Sequence, residues 1–433
     1  MSIASSLKAS GVADVIVVLK NAEQGGGAVA GAATRGAAAT GMPAGVARHF
    51  ASSSLSHDAA LLKMLKSSGR TLSAQAAAGR TSAATTAAVA SVPPVRFYPN
   101  LGIALGTVDR AGLAALRKET TVRKVVAAPQ LRLIKPVAAT AVKATSGYTW
   151  GIKALKVDVL HAQGFTGQDV LVGHLDTGVD ASHPALNGVV KVFAEFDSLG
   201  SQVKNAQPKD SGEHGTHTAG TIAGQPVKGV RFGVAPGAKL ASAMVIEGGN
   251  VLARILGGMN WVVGQNVRVL SMSLGLIGTK DDFLLVTRIL RARGVLPVFA
   301  VGNEGPGTSR YPGNYSEALS VGASDSAGAV ADFSSSQQFV RAKDPIVPDL
   351  VGPGVGVISC VPGGKYMEMD GTSMATPHIA GLAAVLMSAR PNKTIDQIEA
   401  AIFKSCALTS DMTKDRANRG FPDAVKALKA LTP

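Results

Sequence analysis

A serine, a histidine and an aspartate in three separate motifs are the residue types that nucleophilic catalysis needs. Ser373 lies in the sequence Gly-Thr-Ser-Met-Ala-Thr-Pro-His, which leads into an apolar helical run. His214 begins the sequence His-Gly-Thr-His, and Asp176 follows an apolar strand pattern in Leu-Asp-Thr-Gly. A serine hydroxyl is protonated at neutral pH, so it needs a base within reach and a third group that orients the base. The three motifs provide one group for each role.

The order Asp, His, Ser in these motifs resembles that of the subtilisin-like serine peptidases. The resemblance covers about residues 145–405 and extends to Val-Ala-Pro at 234–236, Ser-Met-Ser-Leu-Gly at 271–275 and Gly-Asn-Glu-Gly at 302–305. It implies a serine endopeptidase that works through an acyl-enzyme, with Asp176, His214 and Ser373 as the triad and Asn303 as the side-chain donor to the oxyanion. It also implies a set of substrate-binding residues, namely Ser273, Leu274, Gly275, Gly302, Glu304 and Arg310.

One position beside the predicted specificity pocket departs from the family's pattern. Arg310 stands where the family often has a small residue. An arginine that points inward favours acidic or polar side chains before the cleaved bond, and an ion pair with Glu304 cancels that preference. A solvent-facing arginine leaves a pocket that tolerates apolar side chains.

His174 precedes the predicted catalytic aspartate by two residues. Because residues two apart in a strand point to the same face, His174 projects on the side of Asp176. Two interpretations stay open: a core histidine satisfied within the fold, or a histidine that contacts the aspartate and alters the electrostatics of the triad. We expect structural roles for His217 and His378, because only one imidazole occupies the triad position.

The composition is strongly basic, with 43 lysines and arginines against 29 acidic residues and a net charge of +14. A nucleic-acid binder is therefore one alternative. The basic residues are scattered, however, without the runs or interleaved aromatic residues that a stacking platform needs, so we expect no nucleic-acid partner. A catalytically idle module that holds a peptide in the same cleft is the second alternative.

The sequence lacks side chains for the tight calcium site of many secreted family members. That site combines a carboxylate shortly after the catalytic aspartate with oxygens in the loop that follows the histidine helix. Here Ala185 occupies the first position, and the loop 225–230 has a lysine and no carboxylate. Calcium takes about six to eight oxygen ligands. We therefore expect no calcium at this position, and no other metal or cofactor.

From about residue 150 the pattern alternates apolar strands with helices. Continuous Val, Leu and Ile runs favour strands buried on both faces of a parallel sheet. The resemblance implies a three-layer α/β fold with a mostly parallel central sheet, so that catalytic groups gather at the carboxyl ends of its strands. The predicted strands are 170–175, 239–245, 269–273 and 295–301, and the predicted helices are 214–224, 251–263, 281–293 and 376–389.

The sequence divides near residue 140 into an N-terminal domain, 1–140, and a peptidase domain, 141–433. The first part resembles the small α+β, ferredoxin-like propeptide that inhibits and chaperones subtilisin-like enzymes. Its predicted elements are strand 14–19, helix 58–66, strand 97–108, helix 109–120 and strand 122–127. Two stretches rich in Ala, Gly and Ser, about 25–47 and 67–91, hold too few large apolar side chains to offset the entropy of ordering, so we expect flexible insertions.

The resemblance further implies a self-inhibited zymogen. The chain's own N-terminal segment is then the intramolecular inhibitor, and its tail, between Ile134 and Ser146, lies in the cleft as a product-like strand. The other expected partner is a peptide or protein substrate. No apolar run is long enough to span a membrane. No ordinary signal peptide is visible and the chain has only two cysteines, which favours a cytoplasmic location.

Overall fold

The computed structural model describes residues 2–23, 42–50, 95–246, 248 and 250–432. The chain forms two compact units, Met1–Pro129 and Gln130–Pro433. The boundary predicted at residue 140 lies later than this division, because residues 131–142 pair with strands of the second unit. The predicted helix 58–66, the predicted insertion 67–91 and most of the predicted insertion 25–47 lie outside the described residues.

The first unit contains an antiparallel sheet with the order β2-β3-β1-β4. Its elements are α1 (Ile3–Ser10), β1 (Ala13–Leu19), β2 (Val95–Tyr98), β3 (Ile103–Val108), α2 (Arg110–Lys118) and β4 (Val122–Ala127). Residues 44–50, between β1 and β2, are also helical. This succession of strands and helices is that of a ferredoxin-like split βαβ.

The predicted strand 97–108 is two strands, because the chain turns back at Gly102, where φ is 61°. Helix α2 begins where the sequence predicts, since the Asp109 carboxylate accepts a hydrogen bond of 2.7 Å from the Gly112 amide. Leu113 and Leu116 on its inner face pack with Val15 and Val17 of β1. Alternate residues of β1 and one face of the helix thus form one small core.

The second unit contains most of the chain. Its strands are β5 (Arg132–Leu133), β6 (Ala138–Val142), β7 (Gly147–Tyr148), β8 (Leu171–Asp176), β9 (Val190–Glu195), β10 (Val230–Arg231), β11 (Lys239–Met244), β12 (Val269–Met272), β13 (Leu274–Ile277), β14 (Leu296–Ala300), β15 (Arg310–Tyr311), β16 (Leu319–Ser324), β17 (Gln337–Gln338), β18 (Ile346–Val347), β19 (Leu350–Pro353), β20 (Val357–Val361) and β21 (Lys365–Asp370). Its helices are α3 (Trp150–Ala154), α4 (Val157–Ala162), α5 (His214–Ala223), α6 (Val251–Gly264), α7 (Leu284–Ala292), α8 (Thr372–Ala389), α9 (Ile395–Ser405), α10 (Lys414–Ala417) and α11 (Ala424–Ala430), with a 3₁₀ turn at Pro184–Leu186.

Seven strands form a parallel sheet with the order β19-β16-β14-β12-β8-β11-β9. The four predicted strands are its β8, β11, β12 and β14. On one side of β8 the chain first forms the outer strand β9 and then β11 between β8 and β9; on the other side it adds β12, β14, β16 and β19 in sequence order. The order therefore reverses between β8 and β12, and a crevice opens at the carboxyl ends of these two strands.

Helices cover this sheet, giving the three-layer α/β fold that the sequence predicts. Helix α8 packs against β12, β14, β16 and β19, and also against α5. Ile379 and Leu382 of α8 belong to the same buried cluster as Val269, Val298 and Val321 of the sheet. The helix is apolar on every side and buried from Thr372 to Met387, so its position against the sheet is firmly set.

The first residues of the second unit cross the carboxyl edge of its parallel sheet. Strand β5 pairs antiparallel with β13, and β6 pairs antiparallel with β21. We call residues 131–142 the cleft segment. The Ile134 amide donates to the Ser273 carbonyl at 3.0 Å, and the Val137 amide donates to the Asp370 carbonyl at 2.7 Å. The sequence predicts that a tail lies in the cleft. The cleft segment occupies that position and begins a few residues earlier than predicted.

Among the described residues, none of the helices is long and apolar enough to cross a membrane.

Candidate active site

Asp176 and His214 meet at the crevice between β8 and β12. Asp176 is the last residue of β8 and His214 the first of α5, and both are buried. The His214 Nδ1 atom lies 2.7 Å from Asp176 Oδ1, which also accepts a 2.7 Å hydrogen bond from the Thr177 amide. Burial acts to raise the pKa of Asp176, but the charge and hydrogen bond of His214 outweigh it and hold the pKa below its usual range. The carboxylate is therefore ionised and fixes the Nδ1–H tautomer of His214.

Ser373 lies in the first turn of α8, which begins at Thr372 and so includes the serine, four residues before the predicted start. The side chain is completely buried. Its hydroxyl donates to the Ile134 carbonyl of the cleft segment at 2.6 Å. His214 Nε2 is buried and has no hydrogen-bond partner within the described residues. The base thus faces the site with an unused lone pair while the serine proton is held by the cleft segment.

Asn303 follows β14 and is oriented by the residue before the serine. Its Oδ1 atom accepts from the Thr372 amide at 2.9 Å and from Thr372 Oγ1 at 2.8 Å. This fixes the other end of the amide, and Nδ2 donates to the Lys135 carbonyl at 2.9 Å. The structure therefore aims a side-chain N–H donor at a peptide carbonyl in the cleft.

The cleft segment lies along the residues predicted to bind substrate. Leu133 is paired with Leu274 and Arg132 with Gly275, while the Ser273 carbonyl accepts from Ile134. Leu131 and Ile134 are each only 1% exposed, whereas Arg132 and Lys135 face solvent. Two apolar side chains three residues apart are thus inserted into the protein, and the intervening backbone forms a strand.

Glu304 and Arg310 form an ion pair beside this strand. Arg310 Nε donates to Glu304 Oε1 at 2.9 Å, and Arg310 NH1 donates to the Gly275 carbonyl at 3.3 Å. Both residues line a cavity of about 540 Å³ together with Leu131, Ile134 and Asn303. Of the alternatives for Arg310, the structure has the ion pair, so the arginine and the glutamate neutralise each other.

Gly302 and Gly275 leave room for this ion pair. A Cβ atom on Gly302, where φ is +122°, would lie 2.7 Å from Glu304 Oε2. A Cβ atom on Gly275 would lie 2.9 Å from Arg310 Cβ. Both glycines are therefore required by close approach, and at Gly302 the backbone conformation adds to the requirement.

His217 and His378 hold backbone rather than the reacting groups. His217 Nε2 donates to the Val357 carbonyl at 3.0 Å, and His378 Nδ1 donates to the Met374 carbonyl at 2.8 Å. Burial lowers the pKa of His217 to about 3, with a further contribution from the nearby charge of His214. Burial likewise lowers the pKa of His378 to about 4. Both imidazoles are neutral at physiological pH.

His174 contacts Thr218, a residue to which the motifs assign no role. Its Nε2 atom lies 2.9 Å from Thr218 Oγ1, which in turn lies 3.2 Å from Asp176 Oδ2. The direct distance from His174 Nε2 to Asp176 Oδ2 is 3.9 Å. Thr218 is four residues after His214 in α5, a spacing that places both on one helix face. That spacing is visible in the sequence and was the signal for Thr218.

The residues at the family's calcium position do not fit a hard cation. The methyl group of Ala185 is buried where a carboxylate is needed, and the Ala185 carbonyl already accepts from the Gln225 amide at 2.8 Å. Val230 and Arg231, at the end of the loop 225–230, are paired with β7. The described residues contain no group of three or more His, Cys, Asp or Glu side chains arranged to hold a metal.

Comparisons with known proteins identify the family. The family model described as the subtilase family matches residues 167–424. The chain is 38% identical over 257 residues to subtilisin from Bacillus pumilus, an alignment covering 58% of this chain and 88% of that protein. It is 38% identical to subtilisin E from Bacillus subtilis, with 58% of this chain and 63% of that protein aligned. It is 35% identical over 309 residues to the major intracellular serine protease of Bacillus subtilis, covering 67% of this chain and 92% of that protein.

Proposed function

The chain belongs to the subtilase family of serine endopeptidases, and on that premise we propose that Asp176, His214 and Ser373 are its triad and Asn303 its oxyanion donor. The observation that supports the proposal is the Asp176–His214 hydrogen bond of 2.7 Å, together with a buried Ser373 hydroxyl and an Asn303 amide that both bind the cleft segment. Asp176 comes from β8, His214 from α5 and Ser373 from α8. A cleft that only holds peptides needs no such arrangement.

The reaction uses these groups in sequence. Ser373 Oγ attacks the carbonyl carbon of the substrate, and His214 Nε2 takes the hydroxyl proton. His214 then gives this proton to the departing amine, the C–N bond breaks, and an acyl-enzyme remains that water hydrolyses by the same steps. Asp176 holds the imidazole and stabilises its charged form.

Asn303 Nδ2 stabilises the negative oxygen of the tetrahedral intermediate. A donor of this kind lowers the barrier by about 2.7 to 4 kcal/mol, a figure that comes from subtilisin itself. The N-terminus of α8 adds a partial positive charge of about half an electron at the serine. Both contributions act on charge that develops only during the reaction.

The substrate is an extended peptide with apolar aliphatic side chains at two positions. The cleft segment supports this preference, because it enters as an antiparallel strand with buried Ile134 beside the serine and buried Leu131 three residues earlier. The Glu304–Arg310 ion pair beside the side chain in the position of Ile134 has no net charge, so it does not select for a charged side chain there. Ser273, Leu274 and Gly275 pair with the substrate backbone, and Gly302, Glu304 and Arg310 shape the pocket.

We also propose that the chain is made as a self-inhibited zymogen, with the cleft segment as the inhibitory part and the N-terminal unit as its chaperone. The Ser373 hydroxyl donates a hydrogen bond to the Ile134 carbonyl of the cleft segment, while Asn303 donates to the next carbonyl, that of Lys135. The nucleophile and the oxyanion donor therefore engage different peptide groups. A peptide bond held this way blocks the site without presenting one carbonyl to both groups.

Labelling by a fluorophosphonate tests the peptidase assignment. We expect covalent modification of the wild type at Ser373 and no modification of the Ser373→Ala variant. Circular dichroism verifies that both proteins are folded. A wild type that stays unlabelled after the cleft segment has been removed by limited proteolysis would identify an idle peptide-binding module instead.

Mass spectrometry of the two purified proteins tests the zymogen proposal. We expect a shortened wild type and a full-length Ser373→Ala variant. If the wild type also stays full length and hydrolyses peptides at its maximal rate, the cleft segment is not an inhibitor.

A further inference from the structure

We infer that Thr218 and His174 are positioning residues for the triad, acting on Asp176 from the side opposite His214. This inference rests on the proposed roles of Asp176 and His214. Asp176 Oδ1 receives two N–H donors, from His214 Nδ1 and the Thr177 amide. Asp176 Oδ2 lies 3.2 Å from Thr218 Oγ1, and Asp176 is only 2% exposed. Thr218 is therefore the donor that serves the second oxygen of a buried carboxylate.

Thr218 has one hydroxyl proton and, besides His174 Nε2 at 2.9 Å, which accepts only in its unprotonated tautomer, three acceptors in reach. These are Asp176 Oδ2 at 3.2 Å and the carbonyls of His214 and Gly215 at 3.2 and 3.1 Å. Both carbonyls lie in α5, where the helix already supplies backbone N–H donors. The ionised carboxylate gains more from the proton, because hydrogen bonds to charged groups are the stronger ones. The Thr218 hydroxyl is accordingly directed at Asp176.

His174 donates to Thr218 and extends this chain of hydrogen bonds in the same direction. With its proton used on Asp176, Thr218 Oγ1 accepts at 2.9 Å from His174 Nε2–H. His174 Nδ1 then has no proton and accepts at 2.9 Å from Ser242 Oγ on the neighbouring strand β11. Three hydrogen bonds, from Ser242 to His174 to Thr218 to Asp176, thus point the same way. All four side chains are at most 2% exposed, so water does not compete for them.

The charged groups around His174 agree with a neutral ring. Burial is the largest influence and lowers the pKa of His174, opposed by the charges of Asp176 and Asp210 and assisted by that of His214. A neutral ring with the Nε2–H tautomer donates toward the carboxylate without adding a positive charge beside it. Of the two interpretations of His174, the structure favours one that combines both: a satisfied core histidine that acts on the aspartate through Thr218.

Two consequences for the triad follow. The hydroxyl of Thr218 fixes the rotation of the Asp176 carboxylate, so that Oδ1 faces His214. It also withdraws part of the negative charge that His214 experiences. Without this donor the carboxylate stabilises the imidazolium more strongly.

The test compares Thr218→Val, which has nearly the same shape without the hydroxyl, with Thr218→Ser, which keeps the donor. We expect kcat/KM of Thr218→Val, normalised to active sites by fluorophosphonate titration, to fall roughly 10- to 100-fold, the loss expected for a hydrogen bond to a charged group. We expect the acid limb of its pH profile to move upward by about half a pH unit, because His214 must be neutral to act. Thr218→Ser should restore the limb to the wild-type position.

A second measurement does not depend on activity or on the folding of a Thr218 variant. In full-length Ser373→Ala labelled with ¹⁵N-histidine, NMR should show His174 protonated at Nε2 and unprotonated at Nδ1. Protonation at Nδ1, or an unshifted acid limb in a folded Thr218→Val, would overturn the inference. The proposed function fails separately, through absence of labelling in the activated wild type.

Discussion

Two charged side chains beside the proposed specificity pocket form an ion pair. Glu304 and Arg310 are both largely buried and joined by a hydrogen bond of 2.9 Å. The sequence indicated both residues but not their contact, because six positions separate them across the turn that follows β14. Whether Arg310 pointed inward, outward or at Glu304 depended on that turn.

Removing the arginine should change the charge preference of this pocket. In Arg310→Ala, Glu304 loses its cation beside the first substrate side chain. We expect kcat/KM for a peptide with lysine before the cleaved bond to rise at least tenfold relative to the leucine peptide, since about 1.4 kcal/mol of partly buried charge attraction suffices. Chromogenic peptides that differ only at this position measure the ratio.

The double variant Glu304→Gln, Arg310→Ala serves as its control. It removes both charges and should return the ratio to the wild-type value. An increase for lysine that persists in the double variant would show that pocket size, and not the Glu304 carboxylate, is responsible.

The cleft segment shows what secondary structure contributes beyond single residues. It binds by adding β5 and β6 to the edges of β13 and β21, so its backbone hydrogen bonds are independent of sequence. Only the buried side chains Leu131 and Ile134 are selective. Only the resemblance predicts a tail in the cleft, because residues 131–147 have no clear periodicity. The partners that make this segment a strand lie more than a hundred residues away in sequence.

Weakening the attachment of this segment should activate the intact chain. Leu131→Ala leaves a cavity in a site that is 1% exposed, and such substitutions cost about 2 to 5 kcal/mol. We expect part of that loss to favour release of the segment, and therefore a several-fold higher initial rate of self-processing by freshly made full-length protein. The length of the protein is verified by mass spectrometry before and after each assay.

Arg132→Ala is the matched control, because Arg132 is exposed and follows Leu131 directly in the cleft segment. It should leave the initial rate unchanged. Equal rates for the wild type and a folded Leu131→Ala variant would show that the segment does not limit access to the site.

The stability of the second unit as a whole should not depend on calcium at the family's usual position. Ala185 and its neighbourhood belong to an apolar core that includes Leu186 and Val189. A ligand that binds only the folded state raises Tm, so a calcium-dependent fold loses stability when the ion is removed. We expect Tm of Ser373→Ala to change by less than about 1 °C between excess EDTA and excess calcium.

The variant without the nucleophile is used so that self-digestion does not contribute to the apparent Tm. Subtilisin E, treated identically, is the comparison protein. A drop of several degrees in EDTA for this chain would reveal a metal site elsewhere in the protein.

The sequence was sufficient for the three motifs, the parallel sheet and the helices that carry them. Each of these depends on local order: apolar runs specify β8, β11, β12 and β14, Asp176 ends β8, and the glycine-rich turn after β14 carries Asn303. The strands β9, β16 and β19 were missed. Their strand character depends on neighbours in the sheet, which a single apolar run does not reveal.

The tertiary structure alone decided which groups meet. The order of the strands reverses between β8 and β12, and the cleft segment adds to sheet edges formed far away in sequence. The resulting packing brings Thr218 to Asp176, Arg310 to Glu304 and Ile134 to Ser373. Residue type and spacing encode local conformation and chemistry. Contacts between distant residues, and with them the tautomer of His174 and the charge of the pocket, are properties of packing, which a list of motifs does not contain.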